Sequence, residues 1–149
     1  MKILMVCLGN ICRSPLAEGI LQSKVHPDTI QVDSAGTAAY HVGELPDSRS
    51  IEVARKYGID LTNQRARKFT VKDFDTFDLI YAMDQSNHQN ILALARNTND
   101  KQKVRLLLNE LYPNSNSQVP DPYYGGADGF ENVFKMIDEA CTMIATKIN

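Results

Sequence analysis

No stretch of this 149-residue chain approaches the roughly 18 consecutive apolar residues that a membrane-spanning helix needs. The most apolar segment, Ile3-Leu4-Met5-Val6-Cys7-Leu8, is too short for the core of a secretion signal and runs straight into Gly9 and Asn10. Cysteine is scarce. Cys7, Cys12 and Cys141 are an odd number, unlike the disulfide framework of a small secreted protein. Cys7 and Cys12 lack the close spacing of a zinc knuckle and no histidine pair follows them, so no metal site is expected. Positive charge is not in excess either: 16 Lys and Arg stand against 18 Asp and Glu, a net charge of −2. Such a chain has no general basic field to draw nucleic acid or an anionic membrane. Internal repeats, linkers and low-complexity segments are also missing. One soluble domain over residues 1–149, in the cytoplasm, is the expectation, and 43% hydrophobic with 23% charged residues is ordinary for it.

What is present alternates strand and helix signals. Met1–Leu8 is a continuous, mostly apolar run bounded by a Gly-Asn turn, as suits a strand covered on both faces. Ser14-Pro15 reads as a helix cap with proline at the first helical position, and Leu16, Ile20 and Leu21 give that helix its apolar face. A second strand is predicted over Thr29–Ser34, ended by Ala35-Gly36. A helix over Ser48–Tyr57 is stopped by Gly58, and a third strand covers Asp78–Met83. A helix from Ser86 to about Arg96, a fourth strand over Val104–Leu108 and a loop over Asn114–Pro122 follow. Asp128 and Glu131 form a capping-box pattern, after which Phe130, Val133, Phe134, Ile137, Cys141, Ile144 and Ile148 recur at helical spacing. Strands alternating with helices argue for a parallel α/β sheet, whose ligands sit beyond the carboxyl ends of the strands. The residues after Cys7 are in that place.

Those residues are Cys7-Leu8-Gly9-Asn10-Ile11-Cys12-Arg13-Ser14. Five residues between a cysteine and an arginine can curl so that backbone N–H groups converge on one anion, with the following helix adding its positive end. Gly9 is expected to give the freedom for that curl. Arg13 offers a planar fork matching two phosphate oxygens. A helix N-terminus and a nearby cation favour thiolate, so Cys7 is expected to be ionised and aimed at the phosphorus of a bound monoester. The Gly-x4-Gly-Lys pattern of nucleotide-binding loops is absent.

This loop, together with Asp33-Ser34-Ala35-Gly36, Met83-Asp84-Gln85-Ser86-Asn87 and Asp121-Pro122-Tyr123-Tyr124-Gly125, resembles the low-molecular-weight protein-tyrosine phosphatases, bacterial members especially, almost from end to end. The resemblance implies a single-domain four-stranded parallel sheet with helices on both faces and no metal or organic cofactor. It also implies hydrolysis of phosphotyrosine through a phosphocysteine intermediate. By that similarity Cys7 is the nucleophile, Arg13 binds phosphate and Asp121 is the general acid. Leu8, Gly9, Asn10, Ile11, Cys12 and Ser14 make the phosphate-binding loop, which Asn10, Ser14 and Ser34 hold in shape. Tyr40 faces Tyr123 and Tyr124 across the cleft. Aromatic walls around a deep anion site suit an aryl phosphate, since phosphoserine is too short to reach the sulfur. Asp84 and Arg67 match positions of a structural ion pair behind the site. Animal members carry a histidine where this chain has Thr62-Asn63-Gln64, which alters the tuning of the loop.

Other residues read more plainly. Cys141 belongs to core packing, and His26, His41 and His88 to the solvated surface. Cys12 is either a loop-packing residue or a partner for Cys7 under peroxide. An arsenate reductase on this fold needs further cysteines in mid-chain, which Met83 to Asp100 lacks. A protein-arginine phosphatase carries threonine where this chain has Ile11. A silent phosphopeptide-binding module would need neither the sulfur nor the acid. A phosphotyrosine protein, with bacterial tyrosine kinases as the analogy, is the expected partner, and the chain is expected to be a monomer or weak dimer.

Overall fold

The computed structural model describes the backbone of residues 1–149 and every side chain except those of Tyr124 and Ala127. Its centre is a four-stranded parallel sheet in the order β2-β1-β3-β4, made of β1 (Lys2–Cys7), β2 (Gln31–Gly36), β3 (Leu79–Ala82) and β4 (Val104–Leu106). The apolar run of β1 divides by alternation. Ile3, Met5 and Cys7 join one apolar cluster, and Leu4 and Val6 join the other. Both faces of the strand are dry, which is why its sequence shows no polar alternation.

Helices cover each face. On the first lie α1 (Arg13–Lys24), α2 (Ser48–Lys56) and α6 (Gly129–Ile148), with Leu16, Ile20, Val53, Ile137 and Cys141 buried together. On the second lie α3 (Asp73–Thr76) and α4 (Gln85–Leu92), with Phe74 and Ile91 packed against Leu4 and Ile80. A short α5 (Thr98–Lys103) leads into β4. β1 feeds a helix on one face and β3 a helix on the other, so the chain parts between their carboxyl ends and opens a crevice there.

Several boundaries differ from the sequence expectation. β2 begins later and runs through Ala35 and Gly36, because it stays paired with β1 as far as Cys7. α4 ends at Leu92, and β4 gives way after three residues to a 3-10 turn, Leu107–Glu110. α3 and α5 are too short to leave a periodic signal. The capping box at the last helix does not form. Asp128 leaves a preceding 3-10 turn with φ −96° and ψ 5° and caps nothing with its side chain, while Glu131 turns instead to the Tyr57 hydroxyl and Lys56. Among the described residues, no helix is long and apolar enough to cross a membrane.

Candidate active site

Cys7 is the last residue of β1, 3% exposed, and its sulfur closes the floor of a cavity of about 240 Å³. The cavity is walled by Leu8, Gly9, Ile11, Cys12 and Arg13 of the loop, by Tyr40 and His41 on one side, and by Asp121 and Tyr123 on the other. Four larger hollows, of about 290 to 460 Å³, open on the surface, and none is lined by a cysteine.

The loop's carbonyls are taken from outside. Thr37 N donates to Cys7 O at 2.9 Å, Ala38 N to Leu8 O at 2.9 Å and Asp47 N to Ile11 O at 2.7 Å. The inner side of the curl is left to N–H groups, the arrangement that holds anions. Asn10, not Gly9, takes the left-handed backbone, with φ 58°, a conformation asparagine tolerates better than most residues. Gly36 matters more than either. A Cβ there would stand 2.7 Å from Leu8 O and 3.1 Å from Asn10 N, so the loop lies directly on the end of β2. Gly9 faces the His41 ring, whose Cδ2 is 3.1 Å from where a Cβ would be. His41 is therefore a half-buried wall of the cavity, its Nδ1 2.6 Å from Glu44 Oε2, and not the solvated residue the sequence suggested. Its place beside Tyr40 was the only available signal.

Beneath the loop runs a chain of hydrogen bonds with one polarity. Asn10 is 2% exposed; its Oδ1 accepts from Arg67 N at 3.0 Å, and its Nδ2 donates to Ser14 Oγ at 2.8 Å and Ser34 Oγ at 2.9 Å. Ser34 in turn donates to Glu18 Oε1 at 2.7 Å. With its oxygen occupied by the amide, the Ser14 hydroxyl can direct its proton to Cys7 Sγ, 3.0 Å away, and Asn10 N reaches the same sulfur at 3.3 Å. Ser14 is thus not the helix cap. α1 begins at Arg13, Cys12 holds the cap position without a side-chain bond, and the serine is spent on the sulfur.

Burial raises the Glu18 carboxyl to about 7, against the opposing effect of the Ser34 hydrogen bond. A raised acid binds its proton more tightly in the folded state, so its contribution is present below the unfolded value of about 4.5 and is lost as pH climbs through 7. Glu18→Gln, which cannot ionise, should therefore gain on the parent by roughly 3 kcal/mol between about pH 4 and pH 8 in urea unfolding. Parallel stability profiles for the two proteins would contradict this.

Arg13 is 6% exposed. Its Nη1 donates to Asp84 Oδ2 at 2.7 Å and to Val119 O at 2.9 Å. Among the described residues, Nε and Nη2 on the remaining edge of the guanidinium have no hydrogen-bond partner. The ion pair expected between Asp84 and Arg67 does not occur. Arg67 pairs with Asp73 at 3.1 Å and Asp33 at 3.2 Å, and it serves the loop through its backbone N–H. Gln64 likewise misses the loop and donates to Pro15 O at 3.1 Å. Asp121 reaches the cavity with Oδ1 accepting from Tyr123 N at 2.9 Å. Tyr40 is 76% and Tyr123 45% exposed, consistent with rim positions, and the Tyr124 side chain lies outside the described residues. Cys12 donates to the Tyr123 hydroxyl at 3.4 Å, and burial pushes its thiol up to about 11. All three cysteines are unbridged, and Cys141 is fully buried in the core.

The arrangement gathers a cysteine sulfur, a curled backbone loop, a guanidinium and a carboxyl within one cleft. Residues 2–149 match the family model described as low molecular weight phosphotyrosine protein phosphatase. A low molecular weight phosphotyrosine protein phosphatase of Schizosaccharomyces pombe is 44% identical, over 89% of this chain and 87% of that one. The crystal structure of a protein tyrosine phosphatase from Entamoeba histolytica superposes with a TM-score of 0.91 at 37% identity, covering 99% of this chain and 96% of that one. A Drosophila arginine phosphatase is similar as well, with a TM-score of 0.88 at 33% identity, covering 99% of this chain and 97% of that one.

Proposed function

The chain belongs to the low molecular weight phosphotyrosine protein phosphatase family, and from that premise we propose the roles its residues take in hydrolysing phosphotyrosine. Cys7 sulfur attacks phosphorus and forms an S–P bond as the bond to the phenol oxygen breaks. Asp121 gives its proton to that departing oxygen. The resulting carboxylate then takes a proton from water, which attacks the phosphocysteine and releases inorganic phosphate and the thiolate. Throughout, Arg13 and the loop N–H groups hold the three non-reacting oxygens, the charge stabilisation on which phosphoryl transfer mainly depends.

The reading is carried by one observation: the Cys7 sulfur sits at the base of the cavity with two hydrogen-bond donors directed at it and Asp121 across the opening. Ile11 in the cavity wall supports tyrosine over arginine as substrate, since its side chain has no hydroxyl for a guanidinium phosphate. The protein substrate we propose is an autophosphorylated bacterial tyrosine kinase, met in the cytoplasm by a monomer or weak dimer of this chain.

Turnover of p-nitrophenyl phosphate that persists in EDTA is expected. Asp121→Asn should lower kcat/KM for phenyl phosphate about 100-fold and have much less effect with a dinitrophenyl leaving group, which departs without a proton. Equal losses on both substrates would remove Asp121 from the acid role. Faster hydrolysis of phosphoarginine than of phosphotyrosine peptide would overturn the substrate assignment.

A further inference from the structure

Asp47 is a residue the chemistry above does not use, yet it touches both halves of the site. Its backbone N–H is bonded to Ile11 O of the phosphate loop at 2.7 Å. Its side chain caps α2 through Arg49 N at 2.9 Å, and its Oδ2 accepts from the Tyr123 hydroxyl at 2.8 Å. Arg49 completes the cluster. Its Nε and Nη2 each lie 3.1 Å from an Asp47 oxygen, and its guanidinium covers the rings of Tyr123 and Phe130, at 4.6 Å from both centroids. Cys12 adds a weaker bond from the loop to the same phenol oxygen. Among the described residues, every side-chain hydrogen bond from the 120–124 segment to the phosphate loop or to Asp47 runs through that hydroxyl. The backbone of Tyr123 is in turn what Asp121 Oδ1 accepts from.

We propose that Asp47, braced by Arg49, is a positioning residue for the general acid: it grips the Tyr123 hydroxyl and so fixes Asp121 over the leaving oxygen. Tyr123 then has two duties. Its ring is a cleft wall and its hydroxyl is the fastening between the nucleophile's loop and the acid's segment. The proposal rests on the acid role given to Asp121, because a proton can be delivered only from within hydrogen-bond reach and a displacement near 1 Å is enough to slow the step severely.

Tyr123→Phe keeps the wall and removes the fastening. For this variant kcat/KM, which covers the steps up to departure of the phenol, should fall about tenfold with phenyl phosphate and less than about twofold with a dinitrophenyl leaving group. Asp47→Ala should behave in the same way, and Asp47→Asn, which can still accept from the hydroxyl, should recover most of the loss. In an Asp121→Asn background, Tyr123→Phe should cost nothing further on either substrate. A uniform loss with both leaving groups, or an additive loss in the double variant, would reduce Tyr123 and Asp47 to substrate contact or general stability and overturn the proposal. If Asp121→Asn itself showed no leaving-group dependence, the acid assignment would fail first, and the two failures are separately readable.

Discussion

Cys7→Ser will fold and turn over no aryl phosphate at a rate above about 1 part in 10,000 of the parent. Oxygen replaces sulfur in a position that is 3% exposed and already flanked by the Ser14 hydroxyl at 3.0 Å and Asn10 N at 3.3 Å, so the substitution disturbs little packing. What it removes is nucleophilicity. A hydroxyl must lose its proton to a base before it can attack, and neither Ser14 Oγ nor Asn10 N, the groups bonded to this sulfur, is a base that can take one. Turnover of a phosphotyrosine peptide, beside urea unfolding to establish folding, makes the measurement. A serine variant retaining about 1% of the parent rate would mean that another residue carries the attack.

Arg13→Lys is expected to cost about 100- to 1,000-fold in kcat/KM while leaving the positive charge in place. Nη1 of the guanidinium is committed to Asp84 Oδ2 and Val119 O, at 2.7 and 2.9 Å, and in the proposed mechanism the other edge meets the phosphate. An ammonium group is a single point of charge on a shorter fork and cannot occupy both places. Arg13→Ala should lose at least as much activity and also stability, about 1–3 kcal/mol, because the Asp84 side chain, only 20% exposed, and the Val119 carbonyl are left without their partner. A lysine variant that keeps more than about a tenth of the parent kcat/KM would show that the planar fork is dispensable.

The sheet and the cysteine-to-arginine loop are legible in the sequence because both are local. β1 is apolar from Ile3 to Cys7 without a break, and the cysteine, arginine and serine of the loop stand within eight residues of one another. The supports beneath them were harder to read. Ser14-Pro15 carries a helix-start signal, yet the loop's own curl starts the helix two residues earlier and frees the hydroxyl for the sulfur. Gly9 drew attention as a flexible residue, whereas the strained backbone is at Asn10 and the decisive absence of a side chain is at Gly36, in a different element. Asp47 looks like an ordinary helix cap, and it is one; its second contact reaches a tyrosine 76 residues away, which no local pattern reveals. The partners of Arg67 are hidden for the same reason: Asp33 in β2, Asp73 at the start of α3 and Asp84 after β3 are all distant in sequence or carry no local signal, and only the packing decides among them.

The contact between Gly36 and the backbone of Leu8 to Asn10 has a consequence for how the cleft can adapt. The floor rests on the sheet with no cushion of side chain between them, so it can shift only if two paired strands shift with it. The rim has no such restraint at Tyr40, which stands mostly in solvent. Accommodation of differently shaped polypeptides is thereby confined to the entrance, and in the proposed mechanism the distance from sulfur to phosphorus stays the same for all of them.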